Sequence, residues 1–272
     1  MKRKRPEPAS ATRRSAGSVT TEALARAALQ RAYKMTLPQL NIVHLDRLEA
    51  SLFSGGRADR LSVVDDMRRA GISAADIVDF YIPEVARKLG AQWCVDERGF
   101  AEVTIGTAHL QSMLHDITID WLDRGITNSK DMTALIIVRE GQYHTLGAMV
   151  FAAQLRRLGM TVRLLLGARD EDVVTDVRYG DDTLIGISAS EGESLSDIGD
   201  LVTKLRAAAP ANPLIAVGGS ILPSTEDVNV LIDADYVGND PVETLKLCMT
   251  MKTERPKGAR DTKLISSLVR GI

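Results

Sequence analysis

The fold is decided by the stretch Ala134-Leu-Ile-Ile-Val138-Arg-Glu140-Gly-Gln-Tyr-His144-Thr-Leu-Gly147 and the residues that follow it to Gly159. The apolar run at its start predicts a buried strand. The apolar spacing from Ala148 to Leu158 predicts a helix that Gly159 closes. This order places His144 at the carboxyl end of a parallel strand, where open α/β sheets bind their ligands. An imidazole there can ligate a metal through one nitrogen while a neighbour orients the other.

The pattern continues on the carboxyl-terminal side of this stretch, where apolar strand-like runs alternate with helical patterns over residues 130–252. Such alternation predicts a parallel, doubly wound sheet that helices cover on both faces. The predicted strands are Ala134–Val138, Val162–Leu166, Thr183–Ile187, Leu214–Val217 and Ala234–Val237. The predicted helices are His144–Leu158, Asp170–Tyr179, Ser194–Ala208, Thr225–Ile232 and Pro241–Met251.

The preceding half, residues 21–128, shows helical spacing of apolar residues interrupted by short polar joints. This pattern predicts a helical bundle. Ser73 is the expected N-cap of one helix, with a kink or break at Pro83 and an end at Gly90. The other predicted helices cover Leu24–Tyr33, Leu40–Leu52, Leu61–Arg68 and Phe100–Arg124.

Composition excludes several classes of protein. The 272 residues are 44% hydrophobic, 26% charged and only 4% aromatic, with a net charge of −2, which is ordinary for a globular protein with an aliphatic core. Two cysteines, Cys94 and Cys248, show no metal or disulfide spacing and suit a reducing cytoplasm. No apolar run approaches the ~20 residues that span a bilayer, so no membrane association is expected.

Both ends of the chain are polar. Residues 1–20 are rich in Lys, Arg, Pro and Ser, and residues 253–272 are again basic. The first of these segments has the composition of a disordered tail and lacks the apolar core of a secretory signal. Its positive charge suits contact with DNA or an acidic partner, whereas a solvated tail without a binding role is the simpler interpretation.

Three loops of the second half follow strands and should converge on one crevice. They are the His144–Gly147 loop, the loop Ser188-Ala-Ser190-Glu-Gly192, and Gly218-Gly219-Ser220. Histidine offers a nitrogen ligand, serine hydroxyls line a polar slot, and paired glycines let a bulky group approach the backbone.

These residues resemble a cobalamin-binding Rossmann-like (flavodoxin-like) domain, a family that writes Asp-x-His-x-x-Gly, Ser-x-Leu and Gly-Gly at the same places. The resemblance implies that His144 is the lower cobalt ligand and that Gly147 lets the displaced nucleotide tail pass. It also implies that Ser188, Gly218 and Gly219 line the slot of that tail.

The resemblance extends to the bundle. Leu89-Gly-Ala-Gln-Trp93, with Glu102 nine residues later, is similar to the helical cap over the upper corrin face in that family. Trp93 would be the capping Trp and Glu102 the family's Glu. Without that resemblance, a core position in the bundle is the simpler interpretation of Trp93.

The chain departs from the family pattern at several positions. Gln142 replaces the Asp that hydrogen-bonds the ligand His, so the imidazole should be a weaker donor. Ser190 replaces Leu and makes the tail slot more polar. Cys94 and Val103 stand where related proteins carry His. His109 remains as a candidate upper ligand, although an ordinary bundle position is the simpler interpretation.

Taken together, these features resemble the AerR/PpaA group of cobalamin-binding antirepressors from purple bacteria. The resemblance implies a non-enzymatic, light- and redox-linked regulator of photosynthesis genes that binds a DNA-binding repressor of the PpsR/CrtJ type. It implies cobalamin in the hydroxo or aquo form, with adenosyl and methyl forms as alternatives. Two other functions stay open: a corrinoid shuttle protein of a methyltransferase system, and a haem-binding redox sensor on the same fold.

Overall fold

The computed structural model describes residues 39–123, 129–222 and 232–254. The predicted basic tail, the predicted helix Leu24–Tyr33 and residues 255–272 lie outside the described residues, as does most of the predicted helix Thr225–Ile232. None of the described helices is both long enough and apolar enough to cross a bilayer.

The first half is helical, as predicted. The helices are α1 (Ile42–Ser51), α2 (Arg57–Arg69), α3 (Ile82–Cys94) and α4 (Phe100–Asp123). A short helical turn, Ala74–Asp76, and a π-helical segment, Ile77–Tyr81, lead into α3. The helices share a core of aliphatic side chains that are almost completely buried: Leu48, Met67, Ile77, Leu89, Leu110 and Met113.

One predicted feature around α3 is wrong, and two are confirmed. Gly90 does not end the helix, which continues to Cys94, because Val85 and Leu89 are fully buried and their packing outweighs the roughly 1 kcal/mol that Gly costs in a helix. The predicted break does fall at Pro83, because the π-helical segment Ile77–Tyr81 gives way to α3 immediately before it. Pro83 lies in the first turn of α3, where its missing N–H is tolerated. Ser73 does cap a helix, since its hydroxyl accepts the Asp76 N–H at 3.0 Å.

The second half forms the predicted doubly wound sheet. In the described part of the chain it has five parallel strands in the order β2-β1-β3-β4-β5. They are β1 (Ser129–Arg139), β2 (Met160–Ala168), β3 (Leu184–Ser188), β4 (Leu214–Gly218) and β5 (Tyr236–Val237). The chain moves from β1 outward to β2 and then returns to β3 on the other side. The loops after β1 and β3 therefore flank the topological switch point of the sheet, the usual ligand crevice.

Helices cover both faces of the sheet. They are α5 (Leu146–Arg157), α6 (Asp170–Tyr179), α7 (Leu195–Ala208) and α8 (Pro241–Glu254). Side chains of α5 and α8 enter one apolar layer, and those of α6 and α7 enter the other. The apolar faces predicted from sequence are thus buried on the two sides of a parallel sheet.

Helix α5 belongs to two cores at once. Its residues Ala148, Ala152 and Leu155 pack against the sheet. On another face, Leu146, Val150 and Ala153 pack within the core of the bundle. The helix that directly follows His144 therefore joins the bundle to the sheet.

Polar contacts tie α5 to the bundle at both ends. At the start, the Thr145 hydroxyl accepts a hydrogen bond from the Gln111 side chain of α4 at 2.7 Å. At the end, the Arg157 guanidinium forms a two-pronged ion pair with Asp79 of the π-helical segment, with an Nη1–Oδ1 distance of 3.0 Å. A displacement of α5 therefore has to be accommodated by the bundle.

Candidate functional site

The loop after β1 exposes His144 to solvent, and hydrogen bonds fix the backbone of this loop. Its amides are paired: Glu140 N donates to the Ala168 carbonyl at 2.8 Å, and Gln142 N donates to the Arg139 carbonyl at 3.2 Å. Gly141 makes the turn at φ +80°, a conformation that favours glycine. The His144 side chain is exposed and has no hydrogen-bond partner among the described residues. Its nitrogens are therefore accessible to a ligand.

Space is available beside this histidine. Gly147 is exposed in the first turn of α5, and a Cβ atom built on it would meet nothing within 4 Å. The glycine is thus not required by the packing of the described chain. The open space suits the passage of a ligand past the start of the helix.

The loops after β3 and β4 are brought together, as predicted. Ala189 N donates to the Gly218 carbonyl at 2.8 Å, and Ile221 N donates to the Ala189 carbonyl at 3.3 Å. Gly219 has φ +109°, and a Cβ atom there would lie 2.1 Å from the Ala189 oxygen. Only glycine allows these two loops to approach so closely.

Asn239, which follows β5, holds the same turn from the other side. Its Oδ1 accepts the Gly219 N–H at 2.7 Å, and its Nδ2 donates to the Gly219 carbonyl at 3.3 Å. A Cβ on Gly218 would lie 2.6 Å from this side chain. Asn239 is not among the residues predicted from the sequence, although an Asn two residues after the last strand is a signal that could have indicated it.

Ser190 is buried, and its backbone N–H donates to the Glu193 carboxylate at 2.5 Å. Arg139, the last residue of β1, reaches this carboxylate at 3.5 Å and pairs with both oxygens of Asp170 at 3.0 and 2.8 Å. Hydrogen bonding to Asp170 raises the pKa of the Arg139 guanidinium above its ordinary value. None of these three charged residues was predicted from the sequence.

The joint between α3 and α4 exposes apolar rings. Trp93 is 50% exposed in the last turn of α3, so it is not a core residue, and its ring centroid lies 6.3 Å from that of Phe100. The Glu102 carboxylate accepts the Gly99 N–H at 2.9 Å and thereby caps the start of α4. Glu102 also approaches Arg98 at 3.4 Å. An exposed aromatic pair at this joint is available to a flat ligand.

One side of α4 runs from this aromatic pair to the histidine loop. Phe100 and Gln111 are eleven residues apart, which places them roughly 20° apart around the helix and roughly 16 Å apart along it. Thr104, between them, satisfies its hydroxyl on the Phe100 carbonyl at 2.8 Å. Gln111 contacts Thr145 beside His144. The aromatic pair and the histidine loop therefore lie along the same side of α4.

His109 lies on a different side of α4, so its candidacy as an upper ligand is not supported. It is two residues from Gln111, which corresponds to roughly 200° around the helix. Its Nδ1 is 2.7 Å from the Leu52 carbonyl at the end of α1. His109 therefore ties two bundle helices together.

The fold and the site define a class: a doubly wound α/β protein with an exposed imidazole at its switch point and a helical bundle beside it. Comparison with known proteins identifies the ligand of this class. The B12 binding domain family matches residues 132–245. A 20.5 kDa protein from the bchF-crtJ intergenic region of Rhodobacter capsulatus is 32% identical over 178 residues, which is 65% of this chain and 92% of that protein.

A solved structure shares the fold. The monomethylamine corrinoid protein of Methanosarcina barkeri superposes with a TM-score of 0.63 at 18% identity, over 78% of this chain and 100% of that chain. The chain therefore belongs to the family of AerR/PpaA-type proteins with a B12 binding domain. It is a cobalamin-binding protein.

The residues present fit such a cofactor. Cobalt accepts an imidazole nitrogen, and His144 offers one from an exposed position. A bulky tail needs a gap, and the space beside Gly147 provides one. A flat macrocycle needs apolar contact, and Trp93 and Phe100 are exposed.

Proposed function

We propose that the protein is a non-enzymatic, cobalamin-dependent regulator that responds to light or redox state and relieves repression by a DNA-binding repressor of the PpsR/CrtJ type. One observation carries this proposal. Helix α5 begins beside His144 and packs in both the bundle and the sheet cores, so the histidine and a large protein surface are mechanically connected.

In this proposal His144 would hold the cobalt, and Gly147 would leave room for the nucleotide tail. Ser188, Ser190, Gly218 and Gly219 would line the slot of that tail, and Trp93 with Phe100 would cover the macrocycle. Glu102 supports this cover, since it caps the helix that carries Phe100. Gln142 replaces a carboxylate, so the imidazole donates more weakly than in its relatives.

Bound cobalamin, in the hydroxo or aquo form or in an alkyl form, would supply light- or redox-sensitive chemistry at its cobalt. The chain then has to convert a small shift at His144 into a change elsewhere. Thr145 contacts Gln111 of α4, and Arg157 contacts Asp79 of the π-helical segment. A shift of α5 therefore alters the packing between bundle and sheet, which is a two-state element that cofactor and partner can both bias.

The choice of partner is supported by the relative from Rhodobacter capsulatus. Its gene region is named for crtJ, and the expected repressor is of the PpsR/CrtJ type. The basic residues 1–20 offer a second contact, to DNA or to the repressor. That segment is outside the described residues.

The test is a DNA-binding titration of the repressor from the same genome, with labelled operator DNA and fluorescence anisotropy. The protein is added without cofactor, with hydroxocobalamin and with adenosylcobalamin, in darkness and after illumination. We expect one cofactor or light state to weaken repressor binding by about 5–150-fold, the usual range of coupling between two sites. His144→Ala should abolish the difference between states. Equal repressor affinity in every state would contradict the proposal.

A corrinoid shuttle of a methyltransferase system uses the same fold, and the monomethylamine corrinoid protein shares it. The neutral Gln142 counts against this function, because it replaces a carboxylate that would orient the imidazole and raise its basicity. A methyl-transfer assay with the reduced protein separates the two functions. Methyl transfer without any effect on the repressor would favour the shuttle.

A further inference from the structure

A cluster of buried charges lies beside the proposed cobalamin site. Its centre is Arg139, the last residue of β1 and five residues before His144. The guanidinium pairs with Asp170 at 3.0 and 2.8 Å, at the start of α6. It also approaches Glu193, in the loop after β3, at 3.5 Å. One side chain therefore connects the carboxyl ends of three neighbouring strands.

The side chains of this cluster are largely buried, so the loss of one charge should affect the others. The Glu193 side chain is 3% exposed, Arg139 is 18% exposed and Asp170 is 23% exposed. A buried carboxylate is stabilised when a counter-charge and hydrogen bonds replace the water that it has lost. The guanidinium supplies the charge, and the Ser190 N–H supplies a hydrogen bond at 2.5 Å. The position of Glu193 is thus coupled to that of Arg139.

Arg139 acts on both loops of the crevice. Its carbonyl accepts the Gln142 N–H, which holds the loop that carries His144. Its guanidinium holds Glu193, which in turn holds the backbone of Ser190. The His144 ring has no hydrogen-bond partner among the described residues, so its position depends on the backbone of its loop.

We propose that Arg139 is a positioning residue which, through Glu193, sets the separation between the His144 loop and the Ser190 loop and thereby the affinity and ligation of cobalamin. This inference rests on the proposed role of His144. It goes beyond that role because Arg139 and Glu193 are not among the residues proposed to hold the cofactor. It also explains how a chain with neutral Gln142 keeps its imidazole in a defined place.

The test compares Arg139→Met with the double variant Arg139→Met/Glu193→Gln. The single variant leaves a buried carboxylate without its counter-charge, so both its melting temperature and its hydroxocobalamin affinity should fall. The double variant also removes the charge of Glu193, the more buried of the two carboxylates, so its melting temperature should recover part of the loss. Its loops still lack the link between them, so its affinity should stay about tenfold or more below that of the wild type.

Arg163→Met is the matched control. Arg163 pairs with two carboxylates, those of Asp176 and Asp182, at the opposite end of the sheet. Its loss should lower the melting temperature but leave hydroxocobalamin affinity unchanged. His144→Ala supplies the absorption spectrum of the cofactor without the imidazole, and the two Arg139 variants should shift part of their spectrum towards it.

The outcomes separate this inference from the proposed function. A wild-type protein whose spectrum matches that of His144→Ala would remove the basis for both. Suppose instead that the wild-type spectrum depends on His144. If the double variant then recovered both its hydroxocobalamin affinity and its melting temperature, Arg139 would act on stability alone. That result would overturn the inference.

Discussion

The ion pair between Arg157 and Asp79 gives the sharpest prediction about how the bundle is held to the sheet. Both side chains are largely buried, at 16% and 7% exposure, and the pair has an Nη1–Oδ1 distance of 3.0 Å. Arg157→Met retains most of the side-chain volume but leaves the Asp79 carboxylate buried without its counter-charge. We expect this to reduce the free energy of unfolding by about 3–5 kcal/mol. In a protein of this size, the melting temperature should fall by about 6–20 °C.

The loss of stability in Arg157→Met should depend on pH in a defined direction. Burial raises the pKa of the Asp79 carboxyl above its ordinary value even beside Arg157. An acid whose folded-state pKa is raised favours the folded protein when protonated, so the penalty is largest above that pKa and is relieved as the pH falls through it. Thermal melts at about pH 7.5 and about pH 4.5 should therefore show a smaller loss for Arg157→Met at the lower pH.

Two variants control this measurement. Arg157→Met/Asp79→Asn removes the buried charge and should recover at least half of the loss. Arg87→Met breaks the exposed pair with Glu84 and should reduce stability by less than about 1 kcal/mol. If Arg157→Met melted within about 2 °C of the wild type at neutral pH, the pair would not hold α5 to the bundle.

Three further substitutions test the site. Gly219→Ala should lower the melting temperature of the cofactor-free protein strongly, by the equivalent of about 3 kcal/mol or more, because φ is +109° and the new Cβ meets the Ala189 oxygen. Gly147→Ala should leave that temperature unchanged or slightly higher, since its Cβ has open space in a helix, while hydroxocobalamin titration should show weaker binding if the tail passes there. Trp93→Ala should change stability by less than about 1 kcal/mol, because the ring is half exposed, but should weaken cofactor binding in the same titration.

The sheet could be predicted because the pattern of apolar residues that marks each strand lies within a short stretch of sequence. Strands that are buried on both faces are apolar throughout. Runs such as Ala134–Val138 and Leu214–Val217 can therefore be recognised in the sequence. The order of helices and strands then fixes where each loop emerges, so the meeting of the Ser188 and Gly218 loops followed from topology. The domain limits at residues 128 and 252 and the roles of the site residues stay predictions.

The failures came from contacts between distant residues. Gly90 is a helix breaker in isolation, and only the buried contacts of α3 show why the helix persists. Arg139 is 31 residues from Asp170 and 54 from Glu193, so no spacing rule links them. Asn239 holds Gly219 across 20 residues in the same way. Which charged and amide side chains join two loops depends on the folded geometry. That geometry cannot be read from a single sequence.

The most direct test of the central claim is the absorption spectrum of hydroxocobalamin bound to the wild-type protein and to His144→Ala, measured in darkness at matched saturation. If the imidazole ligates cobalt from below, the wild-type spectrum should differ from that of the free cofactor, and the substitution should remove the difference and weaken binding by at least about tenfold. Identical spectra and equal affinities for the two proteins would contradict the claim that His144 is the cobalt ligand.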